Sequence, residues 1–205
     1  MNTNDPSALL LEALSDKVLH QLPPAVWRGL FLGEERDTIR FEQRHLSLVH
    51  ADAVAPGDGG AIERFYQELQ RLNTRYKGRL DPYVDATALA SFEDSTTAMR
   101  MALELQRAAG GVALRIGVAS GPCTLAYFRV RGRLWCTPLG DLPRRAAAVA
   151  ASAPAGGVVI SPDRFAVDFT HAPAHADDMP DFGDSEVDLS SLALATASEA
   201  IDICV

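Results

Sequence analysis

Between residues 44 and 165 the apolar positions switch between period two and period 3.6, and each switch marks an element. Residues 44–51 alternate as a strand. In 61–76, Ile62, Phe65, Tyr66, Leu69 and Leu72 fall on one side of a helix that Lys77 and Gly78 end. Two short strands, 79–84 and 87–92, flank Asp85 as a hairpin would. A second helix over 95–108 turns Ala98, Met101, Ala102 and Leu105 inward and closes at Gly110 and Gly111. The stretch VALRIGVAS is another strand, and the run after it alternates around Arg131 and Gly132, the mark of a hairpin. Residues 142–153 are alanine-rich and helical up to Pro154, and GGVVIS is a short buried strand. The order strand, helix, two strands, helix, strand predicts an α+β fold. Its core is a ferredoxin-like split βαβ unit (βαββαβ), an antiparallel sheet with helices on one face.

Two flanks complete the organisation. In 7–32, Leu11, Leu14, Val18 and Leu22 recur at helical spacing, Pro23 and Pro24 interrupt, and Trp27, Leu30 and Phe31 resume before Gly33. This helical hairpin either covers the core or serves self-association or tethering. Residues 34–43 read as a charged connection. The chain thus divides into an N-terminal helical segment and linker (1–43), a central domain (44–165) and an acidic tail with a closing C-terminal strand (166–205).

Composition narrows the function. The 205 residues carry a net charge of -8, and nine of the 27 acids lie past Arg164, where there is no Lys or Arg. The acidity belongs to the tail, which is expected to lie against a basic surface or to stay mobile. A nucleic-acid surface is excluded on this charge balance. Cys123, Cys136 and Cys204 are widely spread, with neither a disulfide framework nor zinc spacing. The apolar run 112–118 is broken by Arg115 and too short to span a bilayer. The start MNTNDPS is polar and the first basic residue is Lys17, so a cytoplasmic protein is expected.

Two clusters bear on metals. His171 and His175 lie four apart near Asp177 and Asp178, but the Ala-Pro-Ala between them argues against the helix that such spacing needs. Asp52 and Asp85 each end an apolar, strand-like run. Two such carboxylates are the minimum for a divalent cation, and two aspartates in turns are also common without any metal.

With the order of elements in hand, the chain resembles the class III nucleotidyl cyclase homology domain over about residues 44–165. LSLVHADAV resembles the first strand of that family, with Asp52 where the first metal aspartate belongs. VDATALASF resembles its Gly-Asp hairpin, with Asp85 as the second. LRIGVASGPCTLA resembles a strand followed by a Gly-x-x-x-Gly-Pro turn at Gly117, Gly121 and Pro122. LGDLPRRAAAVAASAPAGGVVIS resembles the run from a Gly-Asp turn through the last helix to the next strand. The resemblance implies a dimer with the site between protomers. It also implies two Mg2+ or Mn2+ ions on the paired aspartates, and a nucleoside triphosphate cyclised with loss of pyrophosphate.

The chain departs from that family where substrate is selected and charge is stabilised. The purine-selecting lysine falls at Asp81 and its partner aspartate at Thr137. The family's Asn aligns with Arg144, and its transition-state Arg with Ala148. Alanine donates no hydrogen bond, and losing one such stabiliser costs about 10²–10³ in rate. Arg145 and Arg144 lie three and four residues before Ala148, about one 5.4 Å turn earlier on the same helix, and are the candidate replacements. The first reading is therefore a degenerate, dimeric cyclase-like module, regulatory or partner-binding in intracellular signalling. It includes a heterodimer with another cyclase or a signalling protein, and retained metal or nucleotide binding. The alternative is an active, divergent adenylate or guanylate cyclase using two-metal catalysis at the dimer interface. A diguanylate-cyclase-like enzyme is disfavoured, since no Gly-Gly-Asp-Glu-Phe hairpin is present.

Overall fold

The computed structural model describes residues 5–55, 59–84, 87–109, 112–161 and the backbone of 201–204. Loop positions 56–58, Asp85, the glycines Gly110 and Gly111, and the tail bearing His171 and His175 lie outside those residues.

Two long strands organise the molecule. β1 (Arg40–Ala55) and β4 (Ala113–Val130) pair antiparallel from Arg40 opposite Tyr127 to Ala53 opposite Leu114, with a register shift between Ala53 and Ala55. On the far side of β1 lies β3 (Thr87–Phe92), then β2 (Arg79–Leu80). On the far side of β4 lies β6 (Gly157–Ile160), paired parallel, and β7 (Ile201–Cys204), antiparallel to β6. β5 (Arg133–Leu139) pairs with the distal half of β4. The hairpin between them turns at Arg131 (φ 50) and Gly132 (φ 78), where two left-handed residues match the twist of the strands. The sheet is therefore mixed, with β4 and β6 the parallel pair among the described residues.

The first strand begins at Arg40 rather than at residue 44, and the Gly-Pro signal marks no turn. Both differences have one cause. β4 runs straight through Gly121 and Pro122, so the charged segment of β1 has a partner to pair with, Pro122 lying opposite His45. The glycines serve packing instead. A Cβ on Gly117 would run into the backbone of Ala146 and Ala150, and one on Gly121 would meet the Arg145 guanidinium.

The helices follow from strand alternation. Val49, Ala51, Ala88, Ala90, Leu114, Ile116 and Val118 share one face of the sheet. Onto it α3 (Gly59–Arg75) presses Phe65, Leu69 and Leu72, and α4 (Ser95–Ala108) presses Met101, Ala102 and Leu105. The start of α4 is fixed by Asp94, whose carboxylate accepts the Thr97 N–H at 2.6 Å. These two helices share a face, as predicted. α5 (Asp141–Ser152) lies on the other, where Leu142 and Ala146 meet Leu46, Leu48, Leu89 and Ala119.

A third cluster belongs to the N-terminal helices. Pro6 opens α1 (Pro6–Val18) after Asp5, whose carboxylate accepts the Ser7 N–H at 3.0 Å. α2 (Pro24–Leu32) follows the proline pair and stops at Gly33, and a 3-10 turn (Glu34–Thr38) leads into β1. Leu14, Val18, Leu30 and Phe31 pack on Tyr83, Phe128, Val130 and Leu139, so the hairpin covers the β4–β5 region. Among the described residues no helix is long and apolar enough to cross a membrane.

Candidate functional site

Of Asp52, Asp81, Asp85, Thr137, Arg144 and Arg145, all but Asp85 are described, and they fall into two groups. The first is built where β2 ends. The Asp81 N–H donates to the Leu89 carbonyl at 2.8 Å, continuing the ladder by one rung, and Pro82 then turns the chain. The Asp81 carboxylate is consequently held inward, with its side chain only 2% exposed. One oxygen, Oδ1, accepts the Tyr83 N–H at 3.1 Å and the Thr137 hydroxyl at 2.8 Å. The other, Oδ2, accepts the Lys17 ammonium of α1 at 2.5 Å, and Lys17 also donates to the Pro138 carbonyl at 2.9 Å. Thr137 is fully buried.

A buried carboxylate is costly unless paired and hydrogen-bonded, and Asp81 meets both conditions. Asp81 and Thr137 therefore touch, as positions that act together should, but a lysine from another element completes them. The sequence gives only a faint signal of it: Lys17 lies three residues after Leu14 and directly before Val18, on the border of the buried stripe of α1. Beside the triad, the Tyr83 ring packs on Phe128 (centroids 5.6 Å apart) and on the edge of Trp135 (5.9 Å). Burial first, and the Asp81 charge second, push its hydroxyl up to about 12.

The second group lies at the end of β1 and on α5. Asp52 is half-buried and paired in register with Thr87 on one side and Arg115 on the other. His50, two residues earlier on the same face, is held below its ordinary proton affinity by burial, with the Asp52 charge opposing. Arg144 is exposed and paired with Asp141 of its own first turn. Arg145 folds back to donate to the Ser120 carbonyl of β4, in the space Gly121 leaves. Ala148 is exposed and carries nothing in their place.

Among the described residues no group of three or more His, Cys, Asp or Glu could hold a metal ion. Asp52 is the described carboxylate of the pair, Asp85 lying outside the described residues. An open groove of about 370 Å³ lies elsewhere, lined by Arg44, Lys77, Arg79, Glu93 and Thr97 among others. None of Asp52, Asp81, Thr137, Arg144 or Arg145 lines it.

The split βαβ unit, the long β4–β5 hairpin and the helix across the second face are the architecture of nucleotidyl cyclase catalytic domains. The structure is similar to the guanylyl cyclase Cya2 (15% identity over 58% of this chain and 76% of that one, TM-score 0.52). It is also similar to the catalytic core of a rhodopsin-guanylyl cyclase with converted specificity, solved with ATPαS (16%, 60% and 80%, 0.51). A third is the dimeric guanylyl cyclase domain of the RhoGC fusion protein from the aquatic fungus Blastocladiella emersonii (14%, 58% and 81%, 0.51). Identities this low establish the fold alone. No protein-family profile matches the sequence, and no curated protein does.

Proposed function

We propose that this chain is a degenerate cyclase-like domain, a cytoplasmic module that acts by pairing with a second protein chain in signalling rather than by cyclising a nucleoside triphosphate. The observation that carries this reading is the closed triad of Lys17, Asp81 and Thr137. A site that reads a purine must keep polar groups free for the base, because discrimination comes from buried donors and acceptors that the right ligand satisfies. Here every oxygen of Asp81 is engaged by the chain itself, and Lys17 is shared with the Pro138 carbonyl. Arg144 and Arg145 are engaged within their own protomer, which supports the same reading. The default partner is a second copy of the chain, and a heterodimer with another cyclase or a signalling protein is the variant of the same idea. Asp52 with Asp85 is the proposed place for one Mg2+ or Mn2+ ion.

Incubation of the purified protein with ATP or GTP and manganese, followed by mass spectrometry, is expected to yield no cyclic nucleotide. Robust product that Asp52→Ala abolishes would overturn the reading and install the active cyclase in its place. The cation is checked separately, as a manganese-dependent rise in melting temperature that Asp52→Ala removes.

A further inference from the structure

The groove of about 370 Å³ lies where the C-terminal turn of α3, the start of β2, the end of β3 and the first turn of α4 converge on β1. Its volume falls within the ~300–1,000 Å³ of pockets that hold small ligands. Leu46, Phe92 and Leu125 close its floor and are buried, so a ligand seated there meets carbon below and charge at the rim.

The charges at the rim are unevenly engaged, because its acids are committed and two of its cations are not. Glu93 pairs with Arg44 at 3.0 Å, and Arg44 also holds Glu42 at 2.7 Å. Asp94 caps α4, one of its oxygens accepting the Thr97 N–H and the Thr97 hydroxyl, both at 2.6 Å. Lys77, by contrast, makes no hydrogen bond or ion pair among the described residues. The Arg79 guanidinium donates to the Cys136 sulfur at 3.2 Å and to the Tyr127 hydroxyl, and no carboxylate pairs with it.

Lys77 is also held where glycine is the unstrained choice. It takes the left-handed conformation (φ 55) that ends α3, and the glycine follows one position later. A bulky residue in that conformation carries backbone strain, and strain of this kind collects where a side chain is used. Glycine is required at 78 for another reason: a Cβ there would strike Asn73 Oδ1 and the Phe92 ring. Asn73 clasps Gly78 twice, its carbonyl accepting the Gly78 N–H at 2.8 Å and its side-chain amide donating to the Gly78 carbonyl at 3.0 Å. The turn is thereby fixed, and it carries Lys77 and Arg79 to the rim on either side of Gly78.

From these observations we infer that the groove binds a small organic carboxylate, with Lys77 and Arg79 receiving the anion and Leu46, Phe92 and Leu125 receiving its apolar body. A guanidinium presents its donors in a planar fork that matches a carboxylate, and the ammonium beside it adds a second point charge. The groove shares no residue with the Lys17, Asp81 and Thr137 triad or with Asp52. It therefore adds a ligand to the module and does not depend on whether the module pairs with another chain or cyclises a nucleotide.

The test titrates the full chain at low ionic strength, by calorimetry and thermal melting, with hexanoate and benzoate. Hexanol, which lacks the charge, and acetate, which lacks the body, are the controls. The two acids should bind once per chain and raise the melting temperature, and the controls should do neither. Lys77→Gly relieves the backbone, so the unliganded melting temperature should hold or rise while affinity for both acids falls about tenfold. Arg79→Gln should weaken binding to a similar degree. Glu93→Gln, at an exposed position, releases Arg44 toward the groove and should tighten it. Hexanol or acetate binding as well as the acids overturns the site, and so does the lack of any response to the acids at millimolar concentration. Undiminished binding in both Lys77→Gly and Arg79→Gln overturns the role of the two cations. Cyclic nucleotide formation would remove the functional reading and leave every one of these results in place, so the two fail separately.

Discussion

The molecule carries two helical layers of opposite character. α3 and α4 meet the sheet through a mostly aliphatic cluster in which Leu72, Met101, Ala102, Leu105, Leu114 and Ile116 are fully buried. α1 and α2 meet it through rings, an ion pair and two unpartnered indole N–H groups. The first contact draws on area removed from water, about 1.5–3 kcal/mol for each fully buried large side chain, and tolerates no opening. The second adds a buried ion pair, Lys17 with Asp81, to the packing of Leu14, Val18, Leu30 and Phe31. The two contacts differ in what each asks of its side chains, and several measurements sharpen or break the contrast.

The largest effect is expected on the aliphatic side. Met101→Ala should lower global stability by about 2–5 kcal/mol, read as a drop in melting temperature with every amide affected. Lys17→Met leaves the Asp81 carboxylate buried without its cation and should cost roughly 3 kcal/mol, with the loss concentrated in the N-terminal hairpin. Hydrogen exchange should show faster opening of 6–32 with α3 and α4 unchanged. Uniform acceleration across the chain in that variant would erase the distinction.

The smallest effects are in pH. Tyr83 is held neutral, so its contribution is complete below pH 10 and is lost as pH rises from 10 toward about 12. Its tyrosinate absorbance should develop only toward pH 12, and Asp81→Asn should bring it earlier. His50 runs the other way. Its folded proton affinity lies below 6.5, so stability is full above that pH and falls as the solution is acidified through it. Replacing His50 with Gln should flatten that slope.

Sequence pattern reaches some of this and not the rest, for reasons visible in single residues. α4 is legible to its ends, because Asp94 caps it and its apolar stripe is uninterrupted. β4 is not, because Gly117, Gly121 and Pro122 are local turn signals, and their true use, the close approach of α5, is a contact across more than twenty residues. Asp81 and Thr137 are found together only through resemblance. Lys17 is missed altogether, since a lysine in the last turn of a helix ordinarily points to water, and nothing near it in the chain announces a carboxylate 64 positions away. Local physics writes elements into sequence, whereas partnerships between elements are written only in three dimensions.

The continuous ladder between β1 and β4 carries a further consequence for motion. Both strands extend from the rim under Phe41 and Phe128 to Asp52 and Leu114 at the opposite rim, without a break until Ala53. Sliding one past the other by a single residue would turn every inward side chain of one strand outward. The sheet therefore behaves as a rigid beam, and any rearrangement must be carried by the pieces fastened to that beam.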